Sequence, residues 1–76
     1  MPAPTPRTIA LISDVLKVDP GLIRSDTLLA DLGADSLGAV ELQDALLNRF
    51  GIDVPTDAFH IGTTVADVQA LLERGA

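Results

Sequence analysis

The sequence predicts a small all-α fold, a four-helix bundle with three main helices and one short helix between the second and the last. Apolar residues recur at helical spacing in three segments, and Pro or Gly residues separate these segments. The only strand-like stretch, Ile52 to Pro55, is too short and too isolated to build a sheet. We expect residues 1–76 to form one domain, with residues 1–4 as a flexible lead.

The composition favours a protein held together by an apolar core. Hydrophobic residues make up 47% of the chain, and Phe50 and Phe59 are its only aromatic residues, so the core should be almost wholly aliphatic. The absence of Cys excludes disulfides and thiolate metal sites. The single histidine, His60, argues against a multi-histidine metal centre.

The net charge of the chain and the distribution of its acidic residues favour basic protein partners. Eleven acidic residues against five basic ones give a net charge of −6, which repels nucleic acid and anionic lipid. No Lys or Arg lies between Arg24 and Arg49. That interval holds five acids: Asp26, Asp31, Asp35, Glu41 and Asp44.

No apolar run approaches the length of a membrane span, and the Pro-rich N-terminus lacks the apolar region of a signal peptide. We therefore expect a cytoplasmic protein. We also expect it to be a monomer.

The first helix is expected to begin after Thr5, an N-cap residue followed by Pro6 at the first helical position. Ile9, Ile12 and Leu16 follow its period, and Asp19-Pro20-Gly21 ends it. The following loop should be anchored by apolar residues before Gly33: Leu22, Ile23, Leu28, Leu29 and Leu32.

The second helix is expected from Ser36 to Phe50, with Asp35 as N-cap and Gly51 just beyond its end. A brief helical turn should start at Thr56 or Asp57, run through Ile61 and stop at Gly62. In the last helix, Thr64 and Asp67 form a capping box. Its core stripe then consists of Val65, Val68, Leu71 and Leu72, and it ends near Arg74-Gly75.

The second helix has two apolar faces, because each residue advances roughly 100° around its axis. The core-facing stripe consists of Ala39, Leu42, Leu46 and Phe50. Leu37, Val40 and Leu47 lie on another face, with Ser36 at its edge and Asp44 inside it. This face either packs under a neighbouring segment or binds a partner. A carboxylate within it argues against full burial, since an unpaired buried charge is costly.

Capping, hydrolytic catalysis and calcium binding can each be excluded as the role of Ser36. Asp35 can cap the helix and complement its dipole, which leaves the Ser36 hydroxyl free. A hydrolase elbow would need Gly where Ala34 stands, a preceding strand and a base, for which His60 is the sole candidate. A calcium loop starting at Asp31 would need Gly at Ser36 and Glu at Leu42, so no metal site is expected. A serine modified or recognised by another protein remains.

The chain resembles an acyl carrier protein over almost its whole length. The motifs that carry the resemblance are Leu32-Gly33-Ala34-Asp35-Ser36-Leu37, Val40-Glu41-Leu42 and Phe50-Gly51-Ile52-Asp53-Val54-Pro55. The resemblance implies a non-enzymatic four-helix carrier, with 4′-phosphopantetheine attached to Ser36 through a phosphodiester. Acyl groups of fatty acid, polyketide or related metabolism would travel on this arm as thioesters.

The resemblance also implies partners. A phosphopantetheinyl transferase would install the arm from coenzyme A with Mg²⁺, which Asp35 would help to position in that complex. Acyl-transferring, condensing or acyl-activating enzymes with basic docking patches would bind the helix that starts at Ser36. The expected contact residues are Leu37, Val40, Glu41, Asp44 and Leu47.

Because the sequence departs from the family pattern, the identity of the cargo stays open. Gly38, Leu47 and Asn48 stand where charged side chains are frequent, which argues against housekeeping fatty acid synthesis. An aminoacyl or peptidyl carrier is one alternative, although Gly33-Ala34-Asp35-Ser36 favours the acyl type. An unmodified helical adaptor is another. It is also open whether an acyl chain would enter the core between Leu42, Leu46, Ile61 and Leu71.

Overall fold

The computed structural model describes residues 4–54, 59 and 62–75, and this part of the chain is all-α, as predicted. Its α-helices are α1 (Pro6–Leu16), α2 (Ser36–Phe50) and α3 (Val65–Gly75), each of which packs against the other two. Two short 3₁₀ helices, η1 (Pro20–Leu22) and η2 (Leu29–Leu32), interrupt the connection between α1 and α2. No helix among the described residues has the length and apolarity to cross a membrane.

The predicted short helix at 56–61 lies outside the described residues except for Phe59, and so do residues 1–3 of the predicted lead. The predicted bounds of α2 are confirmed at both ends. Gly51 adopts a left-handed φ of 69° and donates its N–H to the Leu47 carbonyl at 3.0 Å. Glycine suits this position because a side chain would strain a positive φ.

Helix α1 begins as predicted, with the Thr5 hydroxyl accepting a hydrogen bond from the Thr8 amide at 3.3 Å. It ends at Leu16, before the predicted Asp19-Pro20-Gly21 stop, because Lys17 turns left-handed with a φ of 58°. Asp19 instead caps η1 by accepting from the Gly21 amide at 2.9 Å. The Pro-Gly pair therefore shapes the loop after the helix has already ended.

The core is aliphatic and draws on all three α-helices and on η2. Its buried members are Leu11, Ile12, Ile23, Leu29, Leu32, Leu42, Leu46, Ile52, Val54, Val65, Val68 and Leu72. The prediction that Leu22 anchors the loop is wrong, since 62% of its surface is exposed. In the single turn of η1 the chain can direct few side chains inward, and the next residue, Ile23, fills the core instead.

The connection between α1 and α2 is tied to the start of α3 by backbone hydrogen bonds. The Leu29 amide donates to the Thr63 carbonyl, and the amides of Val65 and Ala66 donate to Thr27 and Ser25, all at 2.9 Å. The first amides of a helix have no partner within the helix, so these loop carbonyls satisfy them. We call this set of three bonds the loop clasp.

The predicted capping box at the start of α3 is confirmed. The Thr64 amide donates to the Asp67 carboxylate at 2.9 Å, and the Asp67 amide donates to the Thr64 hydroxyl at 3.3 Å. Together with the loop clasp, the box gives the first turn of α3 acceptors from both side chain and backbone.

An exposed ion pair joins α1 to α2. The Arg49 guanidinium donates to the Asp14 carboxylate, and this hydrogen bond and charge lower the pKa of Asp14 from its ordinary value. Because the folded-state pKa is depressed, the pair stabilises the fold at neutral pH, and its contribution is lost as pH falls through that pKa.

We predict that replacing Leu46 with Ala destabilises the protein by about 2–5 kcal/mol, because Leu46 is fully buried and truncation leaves a cavity. Leu47→Ala is the matched control: it makes the same chemical change on the same helix, at a side chain that is 50% exposed. Its cost should stay near 0.5 kcal/mol, a rough value for surface substitutions. Urea unfolding measures both, and equal losses would contradict the assignment of the buried face.

Candidate functional site

Ser36 is the first residue of α2 and is exposed. The chain enters this position through a turn in which Gly33 ends η2 with a left-handed φ of 88°. The Ala34 amide donates to the Leu29 carbonyl at 3.1 Å, which fixes the turn against the loop. The Ser36 hydroxyl has no hydrogen bond to any described residue, and it is accessible from solvent.

Asp35 caps α2, as predicted. Its Oδ1 accepts a hydrogen bond from the Gly38 amide at 2.9 Å, and its carbonyl accepts from the Ala39 amide at 2.9 Å. The carboxylate also lies at the positive end of the helix dipole. Capping therefore falls to Asp35, and the Ser36 hydroxyl is not needed for it.

Gly38 has a packing role that the sequence did not reveal. It is buried, and a Cβ at this position would lie 3.2 Å from Leu16 Cδ2 and 3.5 Å from Ala34 Cβ. The missing side chain lets the end of α1 approach the first turn of α2. Glycine weakens a helix by about 1 kcal/mol relative to Ala, but here it also permits this close contact.

The second apolar face of α2 is exposed in the described structure. Leu37 is 65% exposed, and Val40 and Leu47 are each 50% exposed. We call these three residues the apolar strip. Glu41 and Asp44 are exposed on the same helix. Of the two interpretations of this face, packing beneath a neighbouring segment is therefore not observed among the described residues.

A shallow polar groove of about 360 Å³ separates α2 from the end of α1. Its described lining includes Glu41, Asp44 and Asn48 from α2, and Asp14 from α1. Arg49 also lies there, with its charge paired to Asp14. The two α2 carboxylates thus lie in a groove that also contains Lys17 and the paired Arg49.

A second cavity, also about 360 Å³, opens beside Ser36. The described residues that line it are Leu29, Ala30, Ala34, Asp35, Ser36, Ala39 and Phe59. Apart from Asp35 and Ser36, every one of these side chains is apolar. We call this space the serine cavity. Of the residues named above for the core route, Leu42, Leu46 and Leu71 are not among its described lining, and Ile61 lies outside the described residues.

The sequence carried one overlooked signal for the serine cavity. The stretch around Ser36 is rich in small residues: Ala30, Gly33, Ala34, Gly38 and Ala39. Small side chains leave space when a loop folds over a helix terminus. No local pattern, however, places Phe59 opposite them, since it is distant in sequence.

Comparison with known proteins gives an independent result. Residues 7–72 match the family described as "Phosphopantetheine attachment site". An acyl carrier protein of Rhodopseudomonas palustris is 38% identical over 71 residues, which cover 92% of this chain and 90% of that protein. One from Prochlorococcus marinus is 38% identical over 68 residues, 88% of this chain and 85% of that protein.

A non-reducing polyketide synthase of Phaeosphaeria nodorum is 40% identical over 67 residues. The match covers 87% of this chain but only 4% of the synthase, so the chain spans a small fraction of that protein. No solved structure matches the chain.

We predict that Asp35→Ala destabilises the protein by about 1 kcal/mol, because the Gly38 amide loses its acceptor. Asp35→Asn should retain most of this stability, since Asn caps about as well as Asp, and it separates the loss of the cap from the loss of charge. Urea unfolding gives the stabilities, and hydrogen exchange at the Gly38 amide reports the cap directly. Equal stability of Asp35→Ala and wild type would contradict the assigned cap.

Proposed function

The chain belongs to the phosphopantetheine-attachment family of acyl carrier proteins, and from this premise we propose that Ser36 is its attachment site. The single observation that supports this best is the exposed, unbonded hydroxyl at the first residue of α2, next to a cap that does not need it. The prosthetic group of the family is covalent 4′-phosphopantetheine. Acyl intermediates would be carried on it and presented to partner enzymes, with the chain itself acting as carrier rather than catalyst.

The surroundings of Ser36 fit a phosphodiester. The backbone amides of Ser36 and Leu37 have no acceptor among the described residues, and the N-terminus of a helix carries partial positive charge. An anionic diester on the Ser36 oxygen would be stabilised there. No Lys or Arg lies between Arg24 and Arg49, so along the chain the positive charge nearest to Ser36 is the partial charge of the helix terminus.

This chain supplies few of the groups that take part in the attachment reaction. The Ser36 oxygen forms a bond to phosphorus as the pyrophosphate bond of coenzyme A breaks, the nucleotide portion leaves, and the hydroxyl proton passes to a base of the transferase. Asp35 Oδ1 accepts the capping bond, while its second oxygen has no hydrogen bond to a described residue. That oxygen is the group we propose to help hold Mg²⁺, which prefers oxygen ligands.

When bound, the arm supplies a terminal thiol that holds acyl groups as thioesters. A tether of this kind keeps the cargo at a high local concentration for each partner enzyme. The residues of this chain then serve two purposes, attachment at Ser36 and recognition along α2.

We propose the apolar strip, with Glu41 and Asp44, as the docking face for the transferase and for acyl-handling enzymes. Exposed apolar side chains bordered by charge are typical of a protein interface. Arg49, the basic residue of α2, is paired with Asp14, and Glu41 and Asp44 have no ion pair with a described residue. Lys17, at the end of α1, lies in the same groove. A partner with an apolar patch rimmed by Lys or Arg would complement it.

We expect incubation with a broad-specificity phosphopantetheinyl transferase and coenzyme A to add the mass of one arm to the wild-type chain. Ser36→Ala should gain nothing, while Ser25→Ala, which leaves Ser36 intact, should load like wild type. Intact-protein mass spectrometry measures the gain, and circular dichroism verifies that each variant is folded. Absence of loading in folded wild type, or loading of Ser36→Ala, would overturn the proposed site.

We expect Glu41→Lys and Asp44→Lys to slow association with the transferase, because rim charges act mainly on the rate of encounter. Glu73→Lys is the control, since it makes the same charge change at an exposed residue on α3. Stopped-flow or surface binding at low salt gives the rates, and the differences should shrink as salt screens the charges. Equal slowing by all three variants would show that net charge, rather than this face, sets the rate.

A further inference from the structure

Lys17 ends α1 in a backbone conformation that is unusual for a residue with a side chain. Its φ is 58° and its ψ is 46°, and it is the only residue other than glycine with a positive φ in the described part of the chain. Glycine adopts this conformation without steric cost, whereas a side chain is strained there. Strained residues of this kind cluster at functional sites. The conformation therefore directs attention to what the lysine side chain does.

The turn that carries Lys17 is held by three hydrogen bonds. The amides of Lys17 and Val18 both donate to the Ser13 carbonyl, the second at 3.3 Å. The Ser13 hydroxyl donates to the Val18 carbonyl at 2.8 Å. Because the backbone on both sides is fixed, the lysine side chain starts from a defined point rather than from a frayed helix end.

Lys17 is exposed and contributes its charge to the polar groove between α1 and α2. Its ammonium group has no ion pair with a described residue. The same is true of Glu41 and Asp44, while the remaining charges of the described lining, Asp14 and Arg49, are paired with each other. Among the described residues, the groove therefore presents one unpaired cation beside two unpaired carboxylates.

The polar groove adjoins the apolar strip. At roughly 100° per residue, Glu41 lies only about 40° from Leu37 around α2, and Glu41 also lines the groove. A partner that covers the strip would therefore also reach Lys17. If the rim of that partner were basic throughout, one of its cations would face Lys17, and like charges brought together at an interface oppose binding. An acidic side chain at the same place would pair with the lysine.

We propose that Lys17 makes docking selective for a protein surface of mixed charge. Basic side chains of the partner meet Glu41 and Asp44, one acidic side chain meets Lys17, and an apolar centre covers the strip. This inference rests on the docking face proposed above and narrows the chemistry of the partner. Partners whose rim is basic throughout are disfavoured, so a single residue of α1 separates two classes of partner that α2 alone would bind alike.

The test uses synthetic helical peptides that share one apolar stripe. In one peptide every rim position is Lys, and in the others a single rim Lys is replaced by Glu, at a different position in each. Titration of the full chain at low ionic strength, followed by the NMR shifts of its backbone amides, gives each Kd. One mixed-charge peptide should shift the Lys17 amide together with those of Leu37 and Val40.

The decisive quantity is the Kd of the all-lysine peptide divided by that of this mixed-charge peptide. Lys17→Ala should lower the ratio by about two- to fivefold, the range expected for an exposed ion pair. Arg24→Ala is the matched control, because it removes an exposed positive charge outside the described lining of the groove and changes the net charge equally. Its ratio should stay at the wild-type value.

Lys17→Gly separates recognition from folding. It removes the strained side chain, so its urea midpoint should equal or exceed that of wild type, while its binding ratio should fall as in Lys17→Ala. A lower midpoint would show that the lysine serves the fold and would overturn the inference.

The outcomes also distinguish this inference from the docking face on which it rests. Peptides that fail to shift the apolar strip overturn the docking face itself. Peptides that bind there with the same ratio in wild type and Lys17→Ala overturn only the role of Lys17. Equal tightening of every peptide by Lys17→Ala also overturns that role, since the lysine would then only offset the charge of its acidic neighbours.

Discussion

The loop clasp is the constraint on which the rest of this small structure depends. The connection between α1 and α2 is long for such a protein, and its buried backbone groups need partners. The loop clasp supplies partners to Leu29 on one side and to Val65 and Ala66 on the other. It thereby fixes the position of η2. The turn at Gly33, which follows η2, then leads the chain into α2. The position of Ser36 therefore depends on backbone hydrogen bonds that the loop makes with the start of α3.

Helix α2 has a buried face that packs into the bundle and an exposed face that carries the apolar strip. Leu42 and Leu46 are fully buried and hold it to the bundle, while Leu37 projects into solvent with 65% of its surface exposed. Because the two faces are separate, the docking proposed for the apolar strip would leave the core undisturbed. The serine cavity occupies a third region, near the first turn. The proposed attachment site and the proposed docking face thus belong to the same helix.

Much of this arrangement follows from local sequence. The helical period located both faces of α2, and the capping residues Asp35 and Thr64 located the starts of α2 and α3. Local patterns could not reveal the loop clasp, since it pairs Leu29 with Thr63, far apart along the chain. They also misplaced Leu22, because a one-turn helix has no period long enough to tell which side faces inward. Local patterns did not predict the serine cavity for a related reason, because Phe59 comes to line it only in the tertiary fold.

The apolar strip has a further consequence for how copies of this protein behave toward one another. Three large aliphatic side chains in water would favour self-association at high concentration. The net charge of −6 opposes this, since like-charged molecules repel before the strips can meet. That protection has a range of only about 8 Å at physiological ionic strength and shrinks as salt is added. Resistance to self-association therefore depends on the balance between charge repulsion from the acidic surface and attraction between the apolar strips. This resistance is greatest in buffers of low ionic strength.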